Sequence, residues 1–189
     1  MGISFGFIFR SIQEVIVHPK AFWKKQEQDS PGRLKLLQAY LLPLVFIASI
    51  SVFTGEFFRS NHFYAGFALM TAGREFFLFF FQYFLSVFFT NELIKTFGGE
   101  KNIRIARQLV ACSLTPFLLV SVITGLFPFL YVLDALGLYS FYIFALGAKQ
   151  LIDFPEKKTE KFILITILVN FFVFSFLSVL LSKLLNAYL

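Results

Sequence analysis

The stretch YVLDALGLYSFY, residues 131 to 142, holds one carboxylate, Asp134, among residues apolar enough to face lipid. A charged side chain at the centre of a membrane helix costs at least ~2.5–3.5 kcal/mol, so it needs a partner or a task. Asp134 lies six residues past Pro128, which is about 9 Å along a helix starting at that proline. Gln82, seven residues past Glu75 on the second span, should fall at about the same depth, and Asn170, nine residues past Lys161 on the fifth, nearer the midplane. With Ser121 they make a candidate intramembrane polar cluster: Asp134, Gln82, Asn170 and Ser121. Two chemistries suit it. One is hydrogen-bonded fastening of helices, Asp134 to Gln82 or Asn170; the other is a proton or cation site in a small transporter, channel or lipid groove.

Enzyme chemistry finds less to work with. A zinc protease needs two His on one helix face with a Glu, whereas His18 and His62 are the sequence's two histidines and fall on opposite sides of the membrane in the topology given below. An intramembrane aspartyl protease needs two carboxylates sharing a proton, and Asp134 reads as the one acid deep in a span. Neither a G-x-S-x-G elbow nor a phosphate-binding glycine loop occurs. The expectation is a non-enzymatic protein with no catalytic residue, no metal site and no cofactor.

Composition dictates the elements that position these residues. Of 189 residues, 58% are hydrophobic and 15% charged, against roughly 25% charged in a soluble domain. The 30 Phe exceed what a soluble core of this size could hide. Apolar runs of the ~20 residues that cross a ~30 Å hydrocarbon layer fall near 36–58, 75–97, 104–125, 128–150 and 161–184. Lipid offers the backbone no partners, so each run must be helical. The fold class is therefore all-α: a polytopic transmembrane helical bundle of five spans with an N-terminal interfacial amphipathic helix. Residues 1–35 read as a cytoplasmic N-terminal segment and 36–189 as the five-helix domain. The start, MGISFGFIFR, lacks the marks of a cleaved signal peptide and of a myristoylation motif. Cys112, the single cysteine, sits in an apolar run and has no disulfide partner in the chain.

Cations set the orientation. Arg10, Lys20, Lys24, Lys25, Arg33 and Lys35 precede the first span; Lys95, Lys101, Arg104 and Arg107 follow the second; Lys149, Lys157, Lys158 and Lys161 follow the fourth. Only Arg59, Arg74 and Lys183 of the 17 fall on the other side. The positive-inside rule then puts the N-terminus in the cytoplasm and the C-terminus outside a cell (inner) membrane. The net charge of +6 is spread through loops without a stacking platform or recognition fold, so nucleic acid is not an expected partner.

Local signals refine the bundle. Residues 3–17 gather Phe5, Ile8, Phe9, Ile12, Val15 and Ile16 on one arc, opposite Arg10, Ser11 and Glu14, as in a helix lying in the headgroup layer. HPKAFWKK then stops that helix at Pro19 and offers Lys20, Phe22, Trp23, Lys24 and Lys25 as a lipid-surface site for the anionic inner leaflet. Pro116 should bend the third span, and GLFP at 125–128 should turn it sharply into the fourth. Ser51-x-x-x-Gly55 and Ser121-x-x-x-Gly125 permit close helix approach, within the bundle or in a homo-oligomer. Glu92 and Lys95 can pair along their helix, with Asn91 beside them. The Phe-rich run from Phe76 to Phe89 suits lipid contact and packing.

VIVHPKAFW ahead of YLLPL, then FGGEKNIRIARQLVACSLTP leading through a short turn into LGLYSFYIFALGAKQL, resembles the Ypt-interacting-protein (Yip) family of five-span membrane proteins over nearly the whole chain. The resemblance implies a helical bundle with a cytoplasmic N-terminus. Eukaryotic members are associated with Rab-type small GTPases, vesicle trafficking and membrane shaping. This sequence has neither a long polar N-terminal domain nor their Asp-Leu-Tyr-Gly-Pro element, and so is similar to the short, bacterial-type members. The expected function is a scaffold or adaptor that organises membrane lipids or partner proteins. The alternative is a small transporter or channel using Asp134.

Overall fold

The computed structural model describes residues 5–28, 37–59, 63–154 and 156–187. Arg33, Lys35 and His62, and the expected boundary at residue 35, lie outside them. The described elements are helical, with no strand among them. Helix α1 (Phe5–Val17) and α2 (Pro19–Gln28) meet at His18, where the proline ring ends one helix and its fixed φ starts the next. A π-helical turn (Leu37–Leu41) leads into α3 (Leu42–Arg59), followed by α4 (Ala65–Thr96), α5 (Ile103–Ser113) and α6 (Thr115–Leu126). A 3-10 segment (Pro128–Leu138), α7 (Tyr139–Leu151) and α8 (Glu156–Ala187) complete the chain.

Five stretches among the described residues are long and apolar enough to cross a membrane: Ala39–Arg59, Ala65–Thr96, Ile103–Leu126, Pro128–Leu151 and Lys158–Ala187. The chain is a multi-pass membrane protein with the all-α architecture expected. One boundary moved by ten residues. The second span starts at Ala65, ten residues before Glu75, because AGFALMTAG carries no charge to stop a helix in lipid. At 32 residues each, α4 and α8 run about 48 Å, longer than a ~30 Å hydrocarbon layer.

Pro116 does more than bend the third span. The helix breaks at Leu114 and restarts with Pro116 in its first turn. The Phe117 backbone N–H, without an intrahelical role there, donates to Ser140 Oγ of the fourth span at 3.2 Å. Asn102 caps α5, its Oδ1 accepting from the Arg104 and Ile105 N–H groups, one of the stronger N-cap arrangements.

Helix packing follows the small residues. A Cβ on Gly55 would lie 1.8 Å from the Gly125 carbonyl oxygen, so α3 and α6 touch backbone to backbone. The two small-residue motifs therefore meet each other inside the bundle. The core of Leu44, Val45, Ala48, Phe79, Leu109, Leu118, Ile143 and Phe162 joins all five spans. The 3-10 segment is the loosest part. It packs on α6, α7 and α3, while Phe129, Tyr131 and Val132 are each 69% exposed.

Candidate functional site

The residues quoted above as motifs converge on one side-chain network near the N-terminal helices. Trp23 is 1% exposed and Phe22 6%, their rings packed edge to face. The Trp23 Nε1–H donates to the Ile143 carbonyl at 3.1 Å, and the indole lies so close to Gly147 that a Cβ there would meet it at 2.6 Å. These two aromatics, expected as an interfacial anchor, are therefore core residues. The hydrogen-bonding N–H and the flat approach to Gly147 satisfy the indole better inside the bundle than in headgroups. Tyr139 Oη donates to the Ile16 carbonyl of α1, and Tyr40 and Thr115 share a 2.6 Å hydroxyl bond. Val15 of α1 is fully buried, whereas Phe9, on the same apolar arc, is exposed.

With Trp23 fixed inward, the intervening positions of α2 must turn outward. Lys20, Lys24 and Lys25 are all exposed, and Lys25 lies 3.7 Å from Glu14 of α1. Beside them a cleft of about 930 Å³ is lined by Gln26, Lys101, Arg104, Gln108, Lys149 and Asp153. Gln108 Nε2 donates to Gln26 Oε1 at 2.6 Å across it, tying α2 to α5. Lys101 pairs with Glu92, which corrects the expected Glu92–Lys95 pair. The loop after α4 folds back through Gly98, whose φ of +90° favours glycine, and presents Lys101 instead.

The four polar residues expected as one intramembrane cluster divide into three attachments. Gln82 Nε2 donates to Ser86 Oγ at 3.0 Å and to the Asn170 carbonyl at 3.2 Å, joining α4 to α8. Ser121 Oγ donates to Glu75 Oε1 at 2.6 Å, joining α6 to α4. Asp134 Oδ1 accepts from Thr124 Oγ1 at 2.9 Å, within the hairpin of the third and fourth spans. Gln82 meets Asn170 rather than Asp134, because its helix starts at Ala65 and not at Glu75. Asp134 is not fastened to either; it is exposed at the edge of the fold, because the 3-10 segment carries it toward α6.

Glu75, expected only as a span boundary, proves to be the central acid. Its side chain is 14% exposed, and Arg74 Nη1 stands 3.4 Å from its Oε2. Arg74 also reaches α8, donating to Ser182 Oγ at 3.1 Å and Ser178 Oγ at 2.9 Å. At the end of α3, Arg59 pairs with the buried Glu56 at 2.8 Å. Glu56, Arg59, Arg74, Glu75, Ser178 and Asp134 line a cavity of about 530 Å³. The description of Asp134 as the one deep acid is thus corrected. Among the described residues, no group of three His, Cys, Asp or Glu is arranged to hold a metal.

A family model described as Yip1 domain matches residues 14–179. The chain belongs to the Yip1 family. Comparison with curated proteins and with solved structures gave no match. Within the Yip1 domain, Trp23 and Tyr139 hold the first two helices on the bundle, Thr115 holds the π-helical turn through Tyr40, and Ser140 ties the fourth span to the third. The acids Glu56 and Glu75 escaped sequence reading because each stands within three residues or fewer of an arginine, a pattern that usually marks a helix end. The usable signal was the uncharged stretch before Arg74, which lets the helix continue.

Proposed function

We propose that this Yip1-family membrane protein is a non-enzymatic scaffold or adaptor that gathers anionic lipid or partner proteins on its basic face. The arrangement of α2 carries the reading: Trp23 locks the helix on the bundle, which holds Lys20, Lys24 and Lys25 outward beside Lys101, Arg104 and Lys149. A rigid group of cations loses little conformational freedom on binding, unlike the same residues on a mobile tail. The uneven spread of cations supports an orientation with this face and the N-terminus in the cytoplasm and the C-terminus outside an inner membrane.

Each basic residue near an anionic surface contributes about 1 kcal/mol. Replacing Lys20, Lys24 and Lys25 by Gln should therefore weaken capture of phosphatidylglycerol or of an acidic membrane partner by roughly a hundredfold. The test is crosslinking and co-purification from native membranes, wild type against the triple variant, with phosphatidylglycerol content measured in parallel. Equal recovery of lipid and partners by the two proteins would remove the scaffold reading. Cysteine labelling at both ends from either side of the membrane tests the orientation.

A further inference from the structure

The charged cavity adjoins a second one, and the groups left unmatched in their walls point to a ligand. The second cavity, about 270 Å³, is walled by Phe141, Phe144, Phe171 and Ile167, and shares Phe117, Phe174 and Asp134 with the first. From Glu75 to Gln82 on α4, and from Ser178 to Asn170 on α8, the walls descend seven and eight residues, or about 10–12 Å. One cavity is thus stacked on the other along the bundle, charged at the end and aromatic toward the middle.

Three features are unexplained by packing. Among the described residues, no cation lies within ion-pair distance of Asp134, whose hydrogen bond comes from Thr124. The single Thr124 hydroxyl proton also has the Val120 carbonyl at 3.1 Å, so it can serve only one acceptor at a time. In the inner cavity, Gln82 Oε1 and Ser113 Oγ, on side chains 3% and 6% exposed, have no hydrogen-bond partner, and neither does Asn170 Oδ1. Buried polar atoms left unmatched cost about 1–3 kcal/mol each, and in native proteins they call for an explanation. Finally, both cavities run between the fourth span and α8, where the 3-10 segment has its packing on other helices.

The wall chemistry selects the occupant. Arg59 and Arg74 face the same space as Glu56, Glu75 and Asp134. A purely anionic or purely cationic ligand meets like charge on one side of it, whereas a zwitterion meets a partner on both. The guanidinium N–H groups left over from the pairings with Glu56, Glu75, Ser178 and Ser182 match phosphate, and a carboxylate lacking a cation matches an ammonium. The aromatic cavity below suits the start of an acyl chain. Ser113 can donate to an ester carbonyl there, and water accompanying the esters can supply Gln82 and Asn170.

We infer that the paired cavities bind one phospholipid with an amine-bearing zwitterionic headgroup, its phosphate toward Arg59 and Arg74, its ammonium at Asp134 and its chain against Phe117 and Phe174. This site is at the end of the bundle away from the lysine face and is independent of the scaffold reading.

The test uses the full chain, delipidated in detergent and titrated with dioleoylphosphatidylethanolamine, dioleoylphosphatidylglycerol or soluble glycerophosphoethanolamine, with bound lipid counted by native mass spectrometry. The expected result is one tight phosphatidylethanolamine, roughly tenfold preferred over phosphatidylglycerol, with the soluble headgroup a poor competitor. Asp134→Asn should abolish that preference, since loss of a charge-assisted bond is worth about a factor of ten. Val120→Trp, which fills the charged cavity, should remove the tight lipid, and it decides the matter if Asp134→Asn does not fold. Equal binding of the two lipids by wild type, a preference unchanged in Asp134→Asn, or a tight lipid retained by Val120→Trp would each overturn the inference. Competition by glycerophosphoethanolamine as strong as that of the whole lipid would overturn the chain-binding half of the site.

Discussion

Replacing Trp23 by Ala should detach α2 while leaving the five spans assembled. The indole is 1% exposed and fits against Gly147 and Leu109, where a Cβ on Gly147 would come within 2.7 Å of either neighbour. Truncating a buried Trp to Ala costs about 3–5 kcal/mol, including about 1 kcal/mol for its bond to the Ile143 carbonyl. At 1.4 kcal/mol per tenfold, amide-exchange protection across residues 19–28 should fall by roughly two to three and a half orders of magnitude. If α2 is held by less than that, its amides should exchange at the unprotected rate. Trp23→Phe keeps most of the ring contact and should lose only about tenfold. Hydrogen–deuterium exchange in lipid nanodiscs reads both variants, and α4 serves as the internal control. Because Trp23 is the sole tryptophan, its fluorescence supplies a second readout: emission should be blue-shifted and protected from aqueous iodide in the wild type. Protection of α2 unchanged in Trp23→Ala, or free quenching of the wild-type indole, would refute the claim that this residue locks the basic helix.

Other expectations follow from single contacts. Gly55→Ala places a methyl on the Gly125 carbonyl, so α3 and α6 must separate; overpacking of this kind costs about 1–3 kcal/mol or more, seen as a lowered melting temperature in detergent. Gln82→Leu should cost only about 0.6–1.7 kcal/mol in the same melt, the range for interhelical hydrogen bonds in membranes, although it removes both donor contacts to Ser86 and Asn170. Cys112 is buried, and inaccessible thiols are inert: N-ethylmaleimide should label it only after denaturation, and rapid labelling of native protein would contradict the packing of α5. Thr115→Val should cost about 1 kcal/mol by leaving the Tyr40 hydroxyl unpaired, with no further loss in the Tyr40→Phe, Thr115→Val double variant.

Much of the architecture was legible because lipid restricts the options. A ~20-residue apolar run can only be a helix there, so composition and hydropathy determined the all-α class and the five crossings. Proline chemistry marked the α1–α2 junction and the break at Leu114, and the two small-residue motifs announced a close approach before it was known that Gly55 and Gly125 face each other. The depth count set Gln82 level with Asp134 by starting its span at Glu75, whereas the helix begins at Ala65 and Gln82 meets the Asn170 carbonyl instead.

Direction around a helix axis was not legible in the same way. Depth fixes how far down a side chain lies and leaves open what it faces, which is why Asp134 bonds Thr124 and why Ser121 serves Glu75. Trp23 read as an interfacial anchor because an aromatic among lysines satisfies that pattern locally. Only the distant Gly147 and Ile143, brought beside it by the fold, make burial the better solution. The helices, their number and the grouping of cations between them follow from each segment in its own solvent. Tertiary structure alone decided which polar groups meet and where space remains between spans, since both depend on helix rotation and on contacts across more than a hundred residues of chain, as between Trp23 and Ile143.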